Sequence, residues 1–272
     1  IASTDTDQFS SVTLNATASG SSITFENSDS TFQVLAVNAS NGITLSSNLT
    51  TNGTTSFNSD NDANASGDFT LAASKTLSTT NNSLSITSNN MVLGAGSSIT
   101  SGTAGTTLLT AQAGRTIGLG SGAGSFSVTN SELGQFTAAS LTVGNSSNGT
   151  ITVGGLTSIS TPLTLNATRT GSAVNFATAV SSGLGSLTLN AGTGGVDFGV
   201  DVTTTGSLNV SSAGAITDTG VLTVAGTSSF TTNIANQTIT LDNTANSFTG
   251  AVSLNTSGTT GNATLPSNNA FS

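Results

Sequence analysis

The sequence predicts an all-β fold, a parallel β-helix (β-solenoid) with coils of about 22 residues. Three observations lead there. The chain repeats itself: Pro162–Phe176 and Ser186–Phe198 align with Leu163 on Leu187, Asn166-Ala167 on Asn190-Ala191, and Val174–Phe176 on Val196–Phe198, and the pattern restarts at Leu208. Short triplets with two apolar residues flanking a polar one recur from end to end, which is the alternation of a strand with one buried face. No segment places apolar residues at i, i+3, i+4 and i+7 over three turns, and Gly, Ser, Thr and Asn are too dense for helix propensity to win. A repeat that cannot bury its own apolar face gains stability only from its neighbours, which is the physical basis of a solenoid.

Taken in order, the first triplets are Val12–Leu14, Ile23–Phe25, Phe32–Val34 and Ile43–Leu45, about ten residues apart, so that two or three strands make a coil. Val34–Val37 is a longer apolar run and reads as a more deeply buried strand. Ser-Gly, Asn-Gly and Asn-Ser pairs lie between triplets and supply turns. Residues 58–68 break the rhythm with Asn, Asp and Ser and read as a loop excursion. The pattern resumes at Phe69–Leu71, Leu84–Ile86 and Met91–Leu93, then at Leu108-Leu109, Ile117–Leu119, Phe126–Val128, Leu141–Val143 and Ile151–Val153. Ser131–Ala139 holds at most a turn or two of helix and reads as a connection. Val221–Val224, Ile239–Leu241 and Val252–Leu254 carry the repeat to the end. Phe9, Phe25, Phe176, Phe198, Phe230 and Phe248 recur at strand ends and are expected in the core stack. Residues 1–272 are expected to form one solenoid segment, a piece of a longer repeat protein.

Composition narrows the function. Only 6% of residues are charged, with twelve acidic and three basic residues and a net charge of −9. Lys75, Arg115 and Arg169 cannot neutralise a phosphate backbone, which argues against a nucleic-acid partner. No apolar run approaches the length of a membrane span. Histidine, cysteine, tyrosine and tryptophan are absent. That removes His-based acid–base chemistry, the Ser-His-Asp triad, disulfides, and His or Cys metal sites. A cysteine-free chain rich in Ser, Thr, Asn and Gly is expected outside the cell or on its surface.

Units such as Ser186–Gly192, Gly195–Gly199 and Asn246–Gly258 resemble the repeats of large bacterial exoproteins, the filamentous-haemagglutinin-like and autotransporter-like β-strand-repeat proteins. The resemblance covers most of the chain and is clearest after Leu141. It implies a right-handed parallel β-helix and a role in adhesion, biofilm matrix or surface filaments. The expected function is thus a structural fibre or adhesin segment whose partners are copies of itself, joined end to end or laterally. The alternative is a module that binds host or matrix glycans, with specificity in a loop excursion. Thr203–Thr205 and Thr238–Thr240 raise ice binding as a further alternative, but the outward positions mix Ser, Asn, Asp and Thr instead of forming a flat threonine array.

No catalytic residue is expected. Asp197 and Asp201 are the only close acidic pair inside a repeat, and no basic residue lies near them; the reading leaves both without a structural task. The one cation-like constellation is Asp60, Asp62 and Asn64 with Asp68, whose alternating oxygens suit a hard ion such as calcium. It departs from the EF-hand pattern, with Ala65 where the glycine stands and Leu71 where the bidentate glutamate stands. Weak calcium binding in this loop competes with a solvated, self-capping Asp/Asn turn. Asn15, Asn38, Asn48, Asn52, Asn148, Asn166, Asn236 and Asn262 begin Asn-x-Ser/Thr sequons, a pattern that so much Ser and Thr generates by chance.

Overall fold

The computed structural model describes residues 9–157 and 159–266. They fold into parallel coils, three strands to a coil, in two compact units: Ile1–Gln112 with Ser131–Thr142, and Ala113–Asn130 with Val143–Ser272. Among the described residues the longest face holds eleven strands, which makes about 11 turns. No helix among the described residues is long and apolar enough to cross a membrane.

In the first unit the longest face is built from Val12–Ala16, Leu35–Ala39, Thr55–Asn58, Leu84–Ser88 and Gly105–Thr110. Each pairs in parallel with the next. The register places like on like: Leu14 opposite Val37, Val37 opposite Phe57, Phe57 opposite Ile86, Ile86 opposite Leu108. From Val37 onward this row is buried. Removing each such side chain from water is worth about 1.5–3 kcal/mol, and a one-residue slip would turn the row outward. Ile23–Phe25, Ile43–Leu45, Phe69–Leu71 and Met91–Leu93 form the second face. The third consists of Ser30–Phe32, Leu49–Thr51, Thr76–Ser78, Ser98–Thr100 and Phe136–Thr137.

The second unit repeats the plan. Its longest face includes Leu163–Ala167, Leu187–Ala191, Leu208–Ser212, Ser228–Thr232 and Val252–Asn255, and its inward row runs Leu165, Leu189, Val210, Phe230, Leu254. Ile117–Gly120, Ile151–Gly154, Ala173–Thr178, Gly195–Phe198, Ile216–Asp218, Ile239–Thr240 and Ala263–Thr264 stack as the second face. Phe176 and Phe198 stack within it, ring centroids 5.1 Å apart. The third face comprises Val180–Leu184, Val202–Thr204, Leu222–Val224 and Ser247–Phe248. Phe126–Val128 adds a strand to Ile117–Leu119. That return is tight: a Cβ on Gly118 would lie 2.2 Å from the Gly122 carbonyl oxygen.

Three sequence expectations change. Phe32–Val34 is not one strand; the third face ends at Phe32 and the long face begins at Leu35, with Val34 in the corner. Phe9 is 60% exposed and takes no part in the core, whereas Phe57 and Phe69 are buried and in edge contact at 5.2 Å. Ser131–Ala139 is more than a connection. A one-turn helix, Asn130–Leu133, buries Leu133, and Phe136–Thr137 then pairs with Ile99–Thr100. The helix also lets Glu132 Oε1 accept a hydrogen bond from the Leu93 backbone N–H at 3.2 Å.

Candidate functional site

The excursion is the longest strand-free run among the described residues. Its stem is set by the sheet: the long-face strand runs through Asn58, and the second-face strand restarts at Phe69. Ser59 is buried, its hydroxyl donating to the Gly67 carbonyl at 3.0 Å, and the Asn89 N–H donates to the same carbonyl at 2.8 Å. Closure at this point requires glycine, because a Cβ on Gly67 would fall 1.7 Å from the Ser59 carbonyl oxygen. Between these residues the chain turns through Ala63 and Ala65, both with positive φ (53° and 68°), a conformation in which alanine is unfavourable and which the surrounding bonds must hold.

Asp60 supplies those bonds. It is 1% exposed, and its Oδ1 accepts from the Asn64 N–H at 3.0 Å while Oδ2 accepts from the Ala65 N–H at 3.1 Å. Burial pushes its carboxyl above the usual range, the two N–H bonds oppose that, and Asp62 adds to the rise. Asn64 Nδ2 donates to Asp62 Oδ2 at 2.8 Å, and the Ser66 hydroxyl donates to Asn64 Oδ1. Asp60, Asp62 and Asn64 therefore meet, as an Asp-capped turn. Asp68 does not join them through these bonds. Its Oδ1 accepts from Asn89 Nδ2 of the following coil at 2.7 Å. Among the described residues no three His, Cys, Asp or Glu side chains cluster in a way that could hold a metal ion.

Asp197 and Asp201 have structural tasks after all. The Thr217 hydroxyl donates to Asp197 Oδ1 at 3.1 Å, and the Val221 N–H donates to Asp201 Oδ1 at 2.8 Å, each from 20 residues later, one coil on. This is one instance of a device that recurs in both units. Asp29 accepts from the Asn48 N–H and from Asn48 Nδ2, both at 3.0 Å, and Asn48 Oδ1 in turn accepts from the Thr76 N–H at 2.9 Å. Those bonds, led by the Asn48 side chain, hold the Asp29 carboxyl below the usual range. Asn81 caps Thr103 and Asn236 caps Thr260 in the same way.

A second buried carboxylate lies in the other unit. Asp218 is 5% exposed; Asn246 Nδ2 donates to its Oδ2 at 2.6 Å, and Asn246 Oδ1 accepts from the Leu222 N–H at 2.8 Å. Burial is the main cause of its raised pKa and the Asp242 charge adds to it, while the Asn246 bond and the backbone N–H groups of Asn243 and Asp242 work against it. Sequence reasoning missed this pair: Asp218 ends one strand and Asn246 precedes another 28 residues later, so the repeat spacing does not connect them.

Asparagines also stack on the outward side of the long face. Asn38 Nδ2 donates to Asn15 Oδ1 at 2.8 Å in the first unit, and Asn190 Nδ2 to Asn166 Oδ1 at 2.6 Å in the second. In the second unit Asn145, Asn166, Asn190, Ser211 and Asn233 line an open groove of about 360 Å³. Of the sequon asparagines, Asn148 is fully buried, with its Nδ2 bonded to the Gly149 carbonyl at 2.8 Å.

A family model described as Repeats of unknown function (DUF5649) matches residues 185–255. That span begins just before the Leu187–Ala191 rung and ends with the Val252–Asn255 rung, so the part of the chain similar to those repeats is a run of stacked coils. No curated protein and no solved structure matches the chain.

Proposed function

We propose that this β-solenoid is a structural, non-catalytic segment of an extracellular or cell-surface fibre or adhesin, and that it assembles with copies of itself. The observation that carries the reading is where the polar side chains are engaged. Asp29, Asn48, Asp197, Asp201, Asn190 and Asn246 each bond to a residue about one coil away. Their chemistry ties coil to coil and distributes along the stack instead of converging on one point, as a catalytic centre requires. Parallel strands in register on three faces make each coil a template for the next, and an unpaired strand edge favours pairing with another copy. The likeness of residues 185–255 to a repeat family agrees with a role in which coil number matters more than any single coil.

Two measurements test this reading. Sedimentation velocity and electron microscopy over a wide concentration range should show particles that grow into rods, with a strand repeat of about 4.8 Å by diffraction. Antibody against the chain should label intact source cells. A particle that stays monomeric at every concentration would remove self-assembly, and labelling confined to broken cells would remove the surface location.

A further inference from the structure

We infer that the outward long face of the second unit is a binding track for a neutral polysaccharide lying along the coil stack. On this face Asn166, Asn190 and Ser211 occupy one register position in successive rungs. They line the groove of about 360 Å³ with Asn145 and Asn233. A second groove of about 230 Å³ shares Asn190 and Ser211 and continues over Thr188, Asn209 and Thr231. The first groove runs along the stack from Asn145 to Asn233, and the second widens it on the rungs of Asn190 and Ser211; a track that crosses several rungs suits a polymer and not a compact ligand.

The chemistry of the track selects the ligand class. Asn190 Nδ2 is committed to Asn166 Oδ1, and Asn233 Nδ2 to the Ser211 hydroxyl at 2.7 Å. These bonds orient the amides of three groove-lining residues and do not use Asn166 Nδ2 as a donor or the Asn190 and Asn233 Oδ1 atoms as acceptors. Neutral amides and hydroxyls that both donate and accept match sugar hydroxyls, which do the same. Asn166, Asn190 and Ser211 follow one another at the strand spacing of about 4.8 Å, so successive sugars can each meet a polar side chain. A net charge of −9 disfavours an acidic polymer. With no Tyr or Trp to stack on a sugar ring, each contact is weak, and affinity must accumulate along the chain. The inference goes beyond the structural role, which stands whether or not it holds.

The test uses the full chain and calorimetry or ligand-observed NMR with neutral gluco- and galacto-oligosaccharides of two to six units, against a uronic-acid oligomer of equal length. Saturable binding is expected for at least one neutral series, with a Kd on the order of 1 mM for the longest member, tightening with length. Asn166→Ala with Asn190→Ala should weaken it about tenfold, since two oriented hydrogen-bonding groups are lost. Asn233→Ala should weaken it less, and provides the readout if the double variant fails to fold. Asn15→Ala removes the like ladder bond in the first unit and should leave binding unchanged. Absence of binding to every neutral series, equal binding of the uronate, equal loss in Asn15→Ala, or self-association that the groove variants abolish would each overturn the inference.

Discussion

Leu189 and Leu254 occupy the same inward row, two and five rungs into the series Leu165, Leu189, Val210, Phe230, Leu254. Leu189 is buried between Leu165 and Val210, whereas Leu254 is only half-buried. Truncation to alanine removes the same three carbons at each site. At Leu189 the transfer contribution, at about 0.8 kcal/mol per carbon, amounts to about 2.4 kcal/mol. A cavity adds to it, because the rows above and below are held in register by the ladder and cannot close inward, so the expected total is about 3–4 kcal/mol. At Leu254 the side chain already meets water, no closed cavity forms, and about 1 kcal/mol is expected. Urea unfolding followed by circular dichroism reads both, with the slope of the transition showing whether one cooperative unit is observed. Equal midpoint shifts for the two variants would refute the claim that coil-on-coil burial, rather than residue identity, sets the stability.

The buried Asp218 makes a pH prediction whose sign is opposite to that of a surface carboxylate. A carboxyl whose folded pKa is raised favours folding while protonated, so its ionisation penalty is absent below the unfolded value of 3.8 and grows as pH rises through the folded value. Asp218→Asn should therefore gain stability relative to the unmodified chain as pH climbs from 3 toward 7; a difference that is flat or falls with pH would contradict the assignment. Asp60 acts in the same direction and Asp29 in the opposite one, which is why the difference between the two proteins is the quantity to follow. For calcium, the Asp60 oxygens are occupied by the N–H groups of Asn64 and Ala65 and Asp68 is bonded to Asn89. Titration by calorimetry should show no saturable heat and the melting temperature should not move; a shift abolished by Asp60→Asn would show that the loop reorganises around the ion.

Much of the first and second faces was legible because their strands carry two inward apolar residues, as in Ile43–Leu45, Phe69–Leu71 and Leu187–Leu189. Of the third face, Leu222–Val224 was legible and the strands of the first unit were not. Leu49–Thr51, Thr76–Ser78 and Ser98–Thr100 offer one apolar side chain each, too little for alternation to register against a background of Ser and Thr. The excursion was visible as a loss of rhythm; the strands that flank it end at Asn58 and restart at Phe69. Its content was visible only as a list of oxygens. Whether those oxygens face an ion or a backbone N–H depends on the path of the turn, which the positive φ values at Ala63 and Ala65 define.

The sequence by itself determined the all-β character, the coil of about 22 residues and the inward rows, because alternation and repeat spacing are local properties of the chain. The tertiary structure decided which polar groups hold the coils together. Asp197, Asp201, Asn48 and Asn246 acquire partners 20 to 28 residues away only when the register is in place. A hydrogen bond of about 3 Å is sensitive to a register shift of one residue. Spacing in the sequence announces the coil; only the stacked coils determine what each carboxylate and amide touches.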